Sequence, residues 1–127
     1  MYIYSFGGIT KGDIEISFME KYNIRNDIWE ILHVKLPFPI VCPGCIRIDE
    51  TIYIFGGYNK LSGNSSCVTS LTNDNKIAHL KDLEEKSYFI TEPIFYQNKI
   101  HLFSGGEEDV PPNYIIYNMW IMNFEYN

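Results

Sequence analysis

Ile52-Tyr53-Ile54-Phe55-Gly56-Gly57 lies near the middle of the chain. Four β-branched or aromatic residues run straight into a pair of glycines. That is the composition of a strand which ends where the backbone must bend sharply. Two other segments share the pattern: Ile3-Tyr4-Ser5-Phe6-Gly7-Gly8 and Ile100-His101-Leu102-Phe103-Ser104-Gly105-Gly106. The first glycines stand at 7, 56 and 105, so 56 minus 7 and 105 minus 56 both give 49. Self-similarity at a fixed period is the signature of a repeat architecture.

Working outward from these strands, a second layer recurs. Cys45-Ile46-Arg47-Ile48 leads through Asp49-Glu50-Thr51 into the second double-glycine strand, and Ile94-Phe95-Tyr96 leads through Gln97-Asn98-Lys99 into the third. Each reads as a hairpin. After the glycines come loops of differing length and chemistry, at 9–13, 58–66 and 107–113, and then a third strand at 14–22, 67–71 and 114–122. In the first repeat Tyr22 and Trp29 flank a polar turn, and a fourth strand spans 28–34. The unit is therefore four strands in about 49 residues without a crossover helix, which suits radial repetition of four-stranded sheets. The 49-residue shift carries Tyr22 to Leu71 and Trp29 to Ala78, so the middle repeat lacks the aromatic pair. Residues 76–86 also read as a short amphipathic helix, with Ile77, Leu80 and Leu83 on one face. The repeat demands a strand at 77–80, and a strand is expected there.

Composition agrees. The 127 residues suffice for one ordinary domain, and 46% hydrophobic with 20% charged residues excludes a disordered or fibrous chain. Nineteen Ile and 16% aromatics favour strands. A net charge of −6 makes non-specific binding of a nucleic-acid backbone unfavourable. No apolar run is long enough to span a membrane, and the N-terminus has no basic segment of a secretory signal. Three cysteines cannot all pair within the chain, so a reduced, cytoplasmic setting is expected.

These residues resemble the kelch repeat of β-propellers, whose motif is a hydrophobic strand ending in Gly-Gly followed by a Tyr and a Trp at fixed spacing. The first repeat carries all of it in Gly7, Gly8, Tyr22 and Trp29. The second keeps Gly56 and Gly57. The third keeps Gly105 and Gly106, with Ser104 as one inserted residue, and Trp120 lies in a segment similar to the family's third strand. The resemblance implies an all-β fold of four-stranded antiparallel blades, with repeats at approximately 1–41, 42–90 and 91–127. Since 127 residues hold only about 2.6 units of 49, the ring is incomplete in this chain. Its end sheets are expected to expose apolar faces until further blades, from the same or another chain, cover them. In such blades the glycines serve the backbone. Tyr22 and Trp29 are expected to fill the space between sheets, with the indole N–H on a carbonyl. An aromatic ligand platform is the sharper reading of that pair.

Function is expected in the loops. In a propeller the loops after the double glycines emerge on one face with the connections between blades. Lys11, Asp13, Tyr58, Asn59, Lys60, Glu107, Glu108 and Asp109 are the candidate partner-binding residues, joined there by the 81–92 connection. Variable loops on a rigid scaffold are where binding is carried, and the acidic balance suits a basic protein partner. A non-catalytic protein-interaction module follows. A structural component of a cytoskeletal or other large assembly is the second reading, and an oxidase or isomerase on the same scaffold the third. No cofactor is expected. Cys42-Pro43-Gly44-Cys45 has redox or zinc spacing, but Pro-Gly reads more simply as a turn between repeats. Cys67, His33, His79 and His101 are not spaced to complete a zinc site with it. Copper oxidases of the family need two His, a Tyr cross-linked to a Cys and a second Tyr, and no spacing here singles out such a set. Adjacent carboxylates at 107–109 without a glycine-spaced loop make a weak calcium motif.

Overall fold

The computed structural model describes residues 1–86, 92–104 and 113–118. In chain order the strands are β1 (Tyr2–Phe6), β2 (Phe18–Asn23), β3 (Ile28–Lys35), β4 (Gly44–Ile48), β5 (Thr51–Phe55), β6 (Tyr58–Asn59), β7 (Gly63–Asn64), β8 (Val68–Leu71), β9 (Ile77–Leu80), β10 (Ile94–Tyr96), β11 (Lys99–Ser104) and β12 (Asn113–Asn118). They form a three-stranded sheet β1-β2-β3, a four-stranded sheet β4-β5-β8-β9 and a three-stranded sheet β10-β11-β12. β6 and β7 make a small separate hairpin. All the pairings are antiparallel. The fold is all-β, and its sheets are laid out as blades of an unclosed ring.

The repeat is visible in the registers. Ile3 opposes Tyr22 as Ile52 opposes Leu71, and Phe6 opposes Met19 as Phe55 opposes Val68. The Gly8 carbonyl accepts from Ile16 N at 3.1 Å, and the Gly57 carbonyl accepts from Ser65 N at 2.9 Å. In the third sheet β11 runs to Ser104, six residues against five in β5. The extra residue therefore extends the strand. Gly105, Gly106 and Trp120 lie outside the described residues, as does 119–122 of the expected third strand.

One boundary and one pairing differ from expectation, and the strand expected at 77–80 is present. In the first repeat the strand begins at Phe18 and not at 14. Residues 9–15 fold into a tight loop closed by the Thr10 N to Ile14 O bond at 2.9 Å. Residues 77–80 are a strand, not part of a helix: Ile77 packs toward the first sheet and Leu80 toward the third, as two-residue alternation requires. The residue in the place of Trp29 is Ile77, not Ala78. Leu71 opposes Ile77 as Tyr22 opposes Trp29, because five residues separate the first pair and six the second. The aromatic pair is thus replaced by an aliphatic pair facing the first sheet.

Two cores lie on either side of the middle sheet. Met19, Leu32, Leu36, Ile40, Ile52, Ile54 and Leu71 fill the space between first and middle sheets. Phe55, Val68, Leu80, Leu83, Ile100, Leu102, Ile115 and Tyr117 fill the space between middle and third sheets. Alternation in β5 sends Ile52 and Ile54 one way and Tyr53 and Phe55 the other, so a single strand serves both cores. The middle sheet therefore presents one face to the first sheet and the other to the third.

The double glycines set the spacing between sheets. The segment at residues 40 and 41, between β3 and β4, passes between two glycine corners. Gly8 N donates to Ile40 O at 2.8 Å, and Val41 pairs with Tyr58 through bonds of 2.9 and 2.8 Å. A β-carbon on Gly57 (φ 98°) would stand 2.6 Å from Ile40 Cγ1 and 3.0 Å from Val41 O. Glycine is required there both for the left-handed backbone and for the close approach.

Candidate functional site

The loops after the first two glycine corners meet on one rim. Lys60, at the tip of the β6–β7 hairpin, joins them: its Nζ donates to Asp13 O at 2.6 Å and its backbone N to Glu15 Oε1 at 2.8 Å. Lys11 and Asp13 are exposed, and Asp13 holds a left-handed backbone (φ 57°). Tyr58 is half-buried and held by its backbone to Val41. Asn59 is buried. Its Nδ2 donates to Pro39 O at 2.7 Å, and its Oδ1 accepts from Leu61 N and Ser62 N, so it braces the hairpin from inside. Glu15, which the sequence did not single out, is a rim residue because alternation across the short loop turns its carboxylate toward Lys60. Glu107, Glu108 and Asp109 lie outside the described residues. The connection after β9 begins beside the same loop, with Leu83 N donating to Ser66 O at 2.8 Å.

Tyr22 and Trp29 do not lie between two sheets of this chain. Their rings pack across β2 and β3 at 4.9 Å, and Tyr22 OH donates to Asp27 Oδ1 at 2.6 Å. That bond, with a smaller contribution from desolvation, raises the phenol above its ordinary value. With Ile3 and Ile31 they occupy the outward face of the first sheet, where Ile3 is 52% exposed, Trp29 56% and Ile31 63%. The matching middle-sheet residues Ile52 and Leu71 are buried. At the opposite end, Phe103, Tyr114 and Ile116 are exposed on the third sheet. There His101 Nδ1 lies 2.6 Å from Tyr114 OH, and Tyr114 stacks on Phe103.

Cys42 and Cys45 are unpaired thiols flanking the Pro43-Gly44 step into β4, and Cys42 holds φ 51°. Cys45 is exposed as a residue, but its thiol is desolvated beside β1. Desolvation first, and the Glu92 charge second, push it up and away from the thiolate form. Among the described residues no His, Asp or Glu joins this pair in a ligand-like cluster. A different cluster forms instead. Cys67 Sγ lies 3.7 Å from His79 Nδ1, and His79 Nε2 lies 3.0 Å from Asp82 Oδ1. Burial, reinforced by Asp82 and opposed by a Thr69 hydrogen bond, raises the Cys67 thiol. Spacing hid this group because residues 67 and 79 are twelve apart. Pairing of Thr69 with His79 puts residue 67 diagonally across from 79 on the same face. Strand alternation was the signal that could have found it.

No protein-family model matches the chain. Fifty-six of its residues, 44% of its length, are 32% identical to Kelch-like protein 38 of Rattus norvegicus, with the same identity and coverage for Kelch-like protein 38 of Mus musculus. The match spans about a tenth of the length of these relatives. The blades and glycine corners described above thus accompany a partial similarity to kelch-like proteins.

Proposed function

We propose that this chain is part of a kelch-type propeller and serves as a non-catalytic protein-interaction module. Its working surface is the rim built from the loops at 9–15 and 58–66. The observation that carries this reading is the Lys60 bridge, which ties loops from two different sheets into one surface. A surface shared by blades holds its shape because the glycine corners beneath it are packed. The partial likeness to Kelch-like protein 38 supports a module of this type. The partner is a protein with a basic face, met in the cytoplasm. The apolar end faces are covered by further blades, from the same or another chain. The same open faces favour, as a second reading, a structural role within a larger assembly, in which both ends and the rim are buried.

Capture of protein partners from an extract by the immobilised chain tests the rim. The double variant Lys11→Ala and Asp13→Asn removes two exposed charges, keeps at 13 a residue that tolerates the left-handed backbone, and spares the core. It is expected to lower capture about fivefold, the loss of ~1 kcal/mol typical of a contributing contact residue. Undiminished capture by a variant with unchanged circular dichroism would overturn the rim as the binding surface. Co-sedimentation with a polymer in place of a discrete soluble partner would favour the second reading.

A further inference from the structure

We propose that Cys67, His79 and Asp82 form a zinc site at the outer edge of the middle sheet, with a fourth coordination position open to solvent. One potential ligand atom from each residue lies within 4.8 Å of the others. Tetrahedral zinc, with bonds of about 2.3 Å to sulfur and about 2.0 Å to nitrogen, holds those two ligands about 3.6 Å apart. Cys67 Sγ and His79 Nδ1 stand at 3.7 Å. Asp82 Oδ1 lies 3.0 Å from the other ring nitrogen, His79 Nε2, and has to leave that contact to join Nδ1 and Sγ; its side chain is 54% exposed and that of His79 60%, which leaves both room to turn. Thiolate, imidazole and carboxylate together make a mixed donor set that suits zinc better than the hard oxygen-seeking cations.

The backbone beneath the cluster is already fixed. Cys67 N donates to Ser65 Oγ at 3.0 Å, and Cys67 O accepts from Gly56 N at 2.9 Å. The bond from Leu83 N to Ser66 O anchors the chain on both sides, with Cys67 following Ser66 and Asp82 preceding the buried Leu83. His79 is held in β9 opposite Thr69. With the backbone under the ligands already hydrogen-bonded, binding orders mainly the side chains.

The fold does not demand these residues. In the first sheet the Leu36 N to Ser17 O bond makes the same anchor, and Phe18 and Lys35 stand beside it. Ile31 takes the place of His79, opposing Glu20 as His79 opposes Thr69. The first blade builds the same corner with no ligating side chain at the three corresponding positions, Phe18, Ile31 and Lys35. A divalent cation would be held by the thiolate, the imidazole and the carboxylate together, and its binding displaces the thiol proton.

The test is a cobalt titration of the reduced, metal-free 127-residue chain, followed by zinc displacement. One equivalent of cobalt is expected to give a near-ultraviolet thiolate charge-transfer band that zinc abolishes. Cys67→Ser and the exposed-site variant His79→Ala are expected to lose the band. Asp82→Asn is expected to weaken binding about tenfold or more. The double variant Cys42→Ser and Cys45→Ser is expected to keep the band. Absence of a band at one equivalent, or its survival in a folded His79→Ala chain, overturns the site. So does its loss in the Cys42→Ser and Cys45→Ser chain.

Discussion

Asp74 occupies the β8–β9 turn, where Thr72 Oγ1 donates to its Oδ1 at 2.5 Å and Lys76 Nζ lies 3.3 Å from Oδ2. The Thr72 bond first, and the Lys76 hydrogen bond second, hold its carboxyl below the ordinary aspartate value. A carboxyl depressed in the folded chain adds stability above its unfolded value, and that contribution is lost as the pH falls through the folded one. The NMR titration midpoint of Asp74 is therefore expected below that of an exposed aspartate. Thr72→Val is expected to move it up. An unchanged midpoint in that variant would show that the hydroxyl does not set it. This turn was half legible in the sequence: the polar run 72–76 marks it, but its length could not be read, and the length decides that Ile77 replaces Trp29.

Among elements, the connection from β3 to β4 bears most on the fold, because it is clamped between glycine corners of two sheets. Gly57→Ala places a methyl against Ile40 and Val41 at positive φ. It is expected to cost about 2 kcal/mol or more, read as a lower urea midpoint. Gly63 also has positive φ, at 76°, but no atom lies within 4 Å of a β-carbon built there. Gly63→Asn is accordingly expected to cost less than half as much, since Asn tolerates that backbone and meets no neighbour. Equal losses at both positions would show that conformation alone, and not the close approach, makes Gly57 necessary. The glycine pairs were plain in the sequence. What they approach was not, because Ile40 and Val41 carry no motif.

For the whole molecule, the middle sheet buries one face on the first sheet and the other on the third, while the first sheet exposes the face turned away from the middle one. Trp29 and Ile31 are thus exposed in positions whose middle-sheet counterparts, Ile77 and His79, face the first sheet. An apolar face of this kind drives association. Sedimentation of the chain is expected to show self-association that Trp29→Ser with Ile31→Thr reduces. A monodisperse monomer, unchanged by the double variant, would contradict the need for further blades.

The sequence by itself determined the class of the protein: β-branched and aromatic runs, the 49-residue interval and the polar turns are local signals, and local signals survive in one dimension. It also placed the first two glycine corners, since only glycine sustains such a bend beside a packed neighbour. Tertiary structure alone decided which loops share a rim, that Asn59 faces inward, and that Cys67 meets His79 and Asp82. Those outcomes depend on strand register and loop length, which bring together residues far apart in the chain and leave no composition of their own to read.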